Sequence, residues 1–404
     1  MRRSVLVPTA LLMFLIGCDS RDSATSTAGP VSSPAETFRL ALETAKPGDV
    51  ITLPAGTLVF DRSLTLSTSG VTLRGQGMDA TILSFKGQVA GAEGLLVNAS
   101  DFTIEDLAIE DTLGDALKVN EGRNIVIRRV RTEWTGGPST RNGAYGIYPV
   151  QTENTLIEGS VAIGASDAGI YVGQSQNVVV RDSIARQNVA GIEVENTVNA
   201  DVYNNVATEN TGGILVFNMP DLPQAGHSTR VFNNEITNNN TPNFGVPGTA
   251  VAGIPAGSGI VINSNDKVEI FGNRLSGNNT ANVLVSSFYS TAYKARETAE
   301  SFDPFPEDIF IHDNEMKDSG SKPDRDYLEA IRVRLYGTGG RLPDILWDGI
   351  VNPARAGGPN ICVRNGASRL LNIDAENNFS KAAEAEEEHD CALPPLQPVT
   401  LSAR

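Results

Sequence analysis

Residues 146–217 read GIYPVQTENTLIEGSVAIGASDAGIYVGQSQNVVVRDSIARQNVAGIEVENTVNADVYNNVATENTGGILVF. Taking as an origin the residue before each apolar-x-apolar pattern, this stretch holds Gly146, Gly169, Gly191 and Gly213, spaced 23, 22 and 22 residues apart. Working outward adds Gly94 and Ala116 before it and Gly259 after it, at intervals of 22, 30 and 46. The pairs Leu95/Val97, Leu117/Val119, Ile147/Pro149, Ile170/Val172, Ile192/Val194, Ile214/Val216 and Ile260/Ile262 each read as a short alternating strand with one face inward. Eight residues past an origin stand Asn124, Asn154, Asn177 and Asn199; eleven past it Ile127, Ile157, Val180, Val202 and Ile270 open a second strand; nineteen past it stand Asn188, Asn210 and Asn278. A unit of about 22 residues with strands this short cannot close a core alone, so successive units must stack.

The expected fold is therefore all-β: a solenoid of some ten to twelve coils about 4.8 Å apart. Leucine-rich repeats share the period but need a leucine consensus that this chain lacks, and Asn at fixed offsets suits stacked turns. The interval of 30 leaves about eight residues over near Thr135 to Asn142. The interval of 46 fits one coil carrying two insertions, Asn218 to Ser228 and Asn240 to Ala256, and a further insertion runs from Phe288 to Glu307. Insertions leave the packed core of a solenoid and build its binding face.

The composition fits one long repeat domain: 404 residues, 40% hydrophobic and 20% charged, with a net charge of -16. That acidity leaves no broad basic surface for phosphates, so nucleic acid is not an expected partner. At the N-terminus, Arg2 and Arg3 precede an apolar run from Val5 to Ile16 that is too short to span a bilayer. It reads as a secretory signal over 1–17, and Leu15-Ile16-Gly17-Cys18 resembles a bacterial lipobox, which would place lipid on Cys18. The competing reading is an ordinary secretory signal in which Cys18 is incidental. Residues 18–35 follow as a Ser/Thr/Pro/Ala linker, then a body over 36–375 and a tail over 376–404. The expected location is the cell envelope, with the chain lipid-anchored and facing the periplasm or the cell surface. The two remaining cysteines, Cys362 and Cys391, can pair there and pin the tail, or remain two separate thiols.

For a site, outward positions two past each origin give Lys118, Tyr148, Tyr171, Glu193 and Leu215, and five past it give Glu121, Gln151, Gln174, Asn196 and Asn218. Tyrosine faces beside amides can lie along a sugar chain, with rings on C–H faces and amides on hydroxyls. Lys118, Tyr148, Gln151, Tyr171, Gln174 and Glu193 are the candidate binding residues, walled by Trp134, Arg141 and Tyr145. The alternative is that such ladders only stabilise the stack. Glu105, Arg128, Glu158 and Arg181 fall in one column of alternating sign, which reads as a structural ion ladder. Three scattered histidines, His227, His312 and His389, with five methionines, do not make a soft-metal site. No cofactor is required. Calcium is admitted at the oxygen-only set Glu105, Asp106, Glu110, Asp111 and Asp115, although the spacing of a known calcium loop is missing.

These motifs resemble the right-handed parallel β-helix family of pectate lyases, polygalacturonases and alginate epimerases. The resemblance covers roughly residues 36 to 375 and includes a capping helix near Glu36 to Ala45, then PGDVITLPAGTLVF and GVTLRGQG. Within that family, NGAYGIYPVQ, GASDAGIYVGQS and NTGGILVF resemble the parallel β-helix repeat lipoproteins. The epimerase and lyase branch carries Tyr-Gly, an apolar residue, then Asp-Pro-His-Asp. This chain keeps Tyr145, Gly146 and Pro149 but has Tyr148, Val150 and Gln151 where that branch has Asp, His and Asp. Val150 cannot be a base, so the resemblance implies carbohydrate chemistry without the branch's own machinery. Tyr145, Tyr148 and Arg141 remain as candidate proton-transfer residues. The polygalacturonase type needs a Gly-His-Gly, which this sequence lacks. Three classes stay open: a glycan-binding envelope lipoprotein, which is the favoured expectation; a polyuronide lyase or epimerase-like enzyme; and a scaffold for an envelope protein partner.

Overall fold

A computed structural model describes residues 33–402, so the signal, the lipobox with Cys18 and most of the linker lie outside the described residues. From Pro34 onward the chain forms one compact unit. No helix among the described residues is long and apolar enough to cross a membrane.

The strands stack in parallel, coil on coil. One column passes through Leu64, Leu95, Leu117, Ile147, Ile170, Ile192, Ile214, Ile260, Val283, Ile345 and Leu370, which reproduces every origin read from the sequence. A second column passes through Ile51, Leu73, Ile104, Ile127, Ile157, Val180, Val202, Val231, Ile270, Ile311 and Val363. A third, shorter strand completes each coil, with Ala162, Ala185, Ala207, Ile236 and Leu275 in register. We refer to the three resulting sheets as first, second and third. Their inward side chains form one continuous core, and each fully buried Leu, Ile or Val contributes about 1.5–3 kcal/mol.

Two different demands explain the asparagines and glycines. At the corners the backbone turns through the left-handed region, as at Asn124, Asn154, Asn177 and Asn199, which Asn tolerates better than most residues. Inside the stack, Asn188, Asn210, Asn239 and Asn278 form a buried ladder. Asn188 Nδ2 donates to Asn210 Oδ1 at 3.0 Å and to the Ala162 carbonyl at 3.1 Å, so a buried amide is saturated coil by coil. The origin glycines mark where neighbouring coils run closest: a Cβ on Gly191 would sit 2.5 Å from the carbonyl oxygen of Gly213.

Both ends are closed. Helix α1 (Pro34–Thr44) buries Phe38 and Leu42 over the first coils, and Phe38 meets Phe60 edge-on. At the other end a short strand, Ala383–Glu384, pairs antiparallel with Leu370–Asn372, His389 packs against Trp347, and Cys362 is disulfide-bonded to Cys391. The Pro-rich segment beyond then runs back along the outside of the second sheet. Leu396 N–H donates to Glu269, Val399 N–H to Asp201, and Asn154 Nδ2 to Ser402 Oγ. A helix that the repeat pattern did not reveal, α2 (Asp326–Tyr336), lies in the long excursion before Ile345 and buries Leu328 and Ile331.

Candidate functional site

The insertions are not scattered around the coils. Residues 135–142, 240–256 and the α2 excursion all precede a first-sheet strand, whereas 218–228 and 288–307 follow one. They rise on the two sides of the first sheet and make its outer face the floor of a cleft. The exit walls are joined: Ala299 N–H donates to the Pro220 carbonyl, and Tyr293 OH donates to Asp221 at 2.9 Å. From the opposite side Phe244, Val251 and Ile254 pack down on Leu215, Phe217 and Val261. Farther along the floor these walls enclose a cavity of about 240 Å³ between Phe217, Leu284, Leu346, Tyr293 and Tyr327.

At the coils of Gly146, Gly169 and Gly191 the floor carries a cluster of tyrosines and carboxylates. The rings of Tyr145, Tyr148 and Tyr171 meet in a triangle with centroids 4.3, 4.7 and 4.9 Å apart. Lys118 Nζ sits 5.0 Å above the Tyr148 ring. The Tyr171 hydroxyl lies over Gly173, where any Cβ would collide with it, and is a near neighbour of Glu195 on the next coil. Asp167 lies beside Glu193 and Tyr145. Asp167 Oδ1 and Glu193 Oε2 are buried without a hydrogen-bond partner.

These acids are held away from their ordinary protonation. Burial drives Asp167 up to about 7, and the polar groups of neighbouring Glu193 and Tyr145 only partly oppose that. Burial and the neighbouring Asp167 charge push Glu193 well above the usual range. Glu195 is pushed up to about 8 by burial and the charges of Asp167 and Asp221, and Asp115 to about 6 by burial, against the pull of Lys118. The phenols of Tyr145, Tyr148 and Tyr171 are raised too, by burial first and the acids second, so they stay protonated donors. A carboxyl–carboxylate pair sharing protons near neutrality beside fixed O–H donors can give and take a proton during chemistry.

The structure thus unites Tyr145, Tyr148, Tyr171, Lys118 and Glu193, but in a different arrangement from the expected open face. Tyr171 and Glu193 are only 3% and 1% exposed, because the tyrosine triangle and the 240–256 insertion close over them. Gln151 and Gln174 bond each other at 3.3 Å along the corner, as a stacking ladder would. Arg141 is exposed on the 135–142 insertion, where its backbone N–H donates to Ser139 Oγ, apart from the cluster. Trp134 is no wall: it is buried in the core, with Nε1 donating to the Thr112 carbonyl. Val150 is 6% exposed. The calcium set disperses, since Arg74, Arg128 and Arg129 hold Glu105 and Asp106, Arg131 holds Glu110, and Thr135 holds Asp111. Asp167, Glu195, Asp221 and Tyr293 were missed in the sequence. One signal was present: in GIEVE both outward positions of a strand are acidic where adjacent coils have Tyr and Gly or Leu and Phe.

A parallel β-helix with a walled cleft on its first sheet is therefore the class that fold and site define. Residues 69–221 match the family model described as right handed beta helix region. The sequence has no match among curated proteins. Among solved structures, the A-module of the Azotobacter vinelandii mannuronan C-5 epimerase AlgE4 is similar, with a TM-score of 0.51 and 18% identity over 83% of this chain and 91% of that one. DFA-IIIase from Arthrobacter chlorophenolicus A6, solved in complex with GF2, aligns at TM-score 0.48 and 10% identity over 84% of this chain and 92% of that one. At these identities the likeness is one of fold: a right-handed parallel β-helix.

Proposed function

We propose that this protein is a cell-envelope lipoprotein whose first-sheet cleft binds a polysaccharide or oligosaccharide and whose carboxylate cluster moves protons on it. One observation carries the reading. Buried carboxylates with no arginine partner lie against three tyrosines, on the one face that the long insertions wall. Half-buried Tyr145 and Tyr148 offer ring surface to a sugar, with Lys118 beside Tyr148 for hydroxyls. The base and acid roles fall to Asp167, Glu193 and Glu195 rather than to the tyrosines. An acidic floor repels a polyuronide, so neutral or amino sugars suit it better. The lipid on Cys18 and the envelope location rest on the N-terminal sequence, and the Cys362–Cys391 bridge fits an oxidising compartment.

The test is a proton NMR time course of the protein with a neutral glucan, a chitin oligosaccharide, alginate and polygalacturonate. New anomeric or unsaturated-sugar signals that vanish in Glu195→Gln are the expected result. Line broadening without new signals would leave a binding protein. That second reading is favoured by the near-complete burial of Glu193. Silence from every sugar would overturn the proposal in favour of a protein-binding scaffold.

A further inference from the structure

The insertion that forms the exit wall, 288–307, ends against the start of a second-sheet strand, Asp266–Phe271. There Asp266, Asp303 and Glu307 each place a carboxylate oxygen within 4.8 Å of the others. The local backbone shapes this pocket: Glu307 N–H donates to Asp266 Oδ1, Phe305 N–H to Asp303 Oδ1, and Ser264 Oγ to the Pro304 carbonyl. Glu307 is 7% exposed. One of its oxygens, Oε2, meets Arg355, but Oε1 is buried and has no hydrogen-bond partner. Leaving a carboxylate oxygen so deeply buried and unbonded is costly unless something positive reaches it. Arg355 does not balance the group, because its one guanidinium is shared with Asp308 at 2.6 Å and makes no ion pair with Asp266 or Asp303.

We infer that Asp266, Asp303 and Glu307 bind a calcium ion that clasps the 288–307 insertion to the body of the β-helix. The donors are all oxygen, which selects a hard cation and disfavours zinc. His227, the register partner of Asp266, bonds Ser228 Oγ instead. Oxygens around one calcium at 2.3–2.6 Å lie no more than about 5 Å apart, a span this trio fits, whereas a magnesium shell closes to about 4 Å. The half-buried Asp266 and Asp303 leave room for water to complete the shell. The same insertion carries Phe288 and Tyr293 into the cleft, so the ion fixes a wall of the cavity. The site stands on its own residues and does not depend on the glycan reading.

The test uses the full chain, stripped with chelator. Isothermal titration with calcium chloride is expected to show one site, weakened at least about tenfold in Asp303→Asn, in which the bond from Phe305 N–H can persist. Lys294 and Arg296 are exposed within the insertion, so tryptic cleavage there is expected to slow at least about fivefold with calcium in the wild type but not in Asp303→Asn. Glu307→Gln serves as the second variant. No calcium heat up to about 5 mM, binding unchanged in both variants, or magnesium binding as tightly as calcium would each overturn the inference.

Discussion

The outer faces of the first and second sheets both carry acids and aromatic rings and treat them in opposite ways. On the second sheet Arg74, Glu105, Arg128, Glu158 and Arg181 alternate up the column, and each acid touches a guanidinium, Arg74 Nε reaching Glu105 at 2.6 Å and Arg181 Nε reaching Glu158 at 3.0 Å. Burial alone would raise the Glu158 carboxyl, but Arg128 and Arg181 outweigh it and hold it below its ordinary value. The column then passes to stacked rings: Tyr203 on Phe232 at 4.8 Å, Phe232 on Phe271 at 4.9 Å, Phe271 on His312 at 5.3 Å, all nearly parallel. On the first sheet the acids have no arginine, the tyrosines tilt into a triangle instead of stacking, and the carboxyl groups titrate near neutrality. A column with every charge paired builds the stack; a column with charges left over is held ready for something else.

Four changes would break or sharpen that contrast. The largest effect is expected from Glu195→Gln or Asp167→Asn, which should cut turnover on a responsive glycan by about 10²–10⁴ and leave the fold intact, as steady-state rates and circular dichroism would show. Equal loss from Arg181→Ala would erase the distinction between the faces. Next, Cys391→Ala removes the bridge and is expected to cost about 3 kcal/mol in urea unfolding while leaving glycan affinity unchanged, since the tail crosses the second sheet only. Third, stability should fall as pH rises from about 4 to about 8. In that window the native state, with Asp167 at about 7 and Glu195 at about 8, binds more protons than the unfolded chain. The slope is at most about 1.4 kcal/mol per pH unit for each proton, and Asp167→Asn should flatten it in a denaturation series. Smallest, Arg128→Ala should cost about 1–2 kcal/mol, since Arg74, Arg129 and Arg181 still serve the two acids it leaves.

Much of this was legible in the sequence because solenoid geometry repeats. Origins at Gly146, Gly169, Gly191 and Gly213 set the register of both main columns, and Arg128–Glu158–Arg181 followed by simple addition, with Glu105 joining them after a one-residue slip. Insertions broke the legibility. Their lengths could be counted, but where Phe244, Val251 and Ile254 fold back depends on packing with Leu215 and Val261 that no period encodes. Tyr171 and Glu193 were therefore read as open and are covered. Helix α2 was hidden for the same reason, lying in the 61 residues between the register positions Val283 and Ile345. Asp167 precedes its origin by two residues, in a turn whose direction the alternation rule does not give.

If the first face engages sugar and the second only builds the stack, removing one ring from each must have different consequences. Calorimetric titration of the glycan that responds in NMR, into the wild type, Tyr148→Ala and Phe232→Ala side by side, tests it most directly. Tyr148→Ala is expected to lose at least about tenfold in affinity, from one ring's stacking, whereas Phe232→Ala is expected to bind as the wild type does and to be only less stable. Undiminished binding by Tyr148→Ala, or equal loss in both variants, would contradict it.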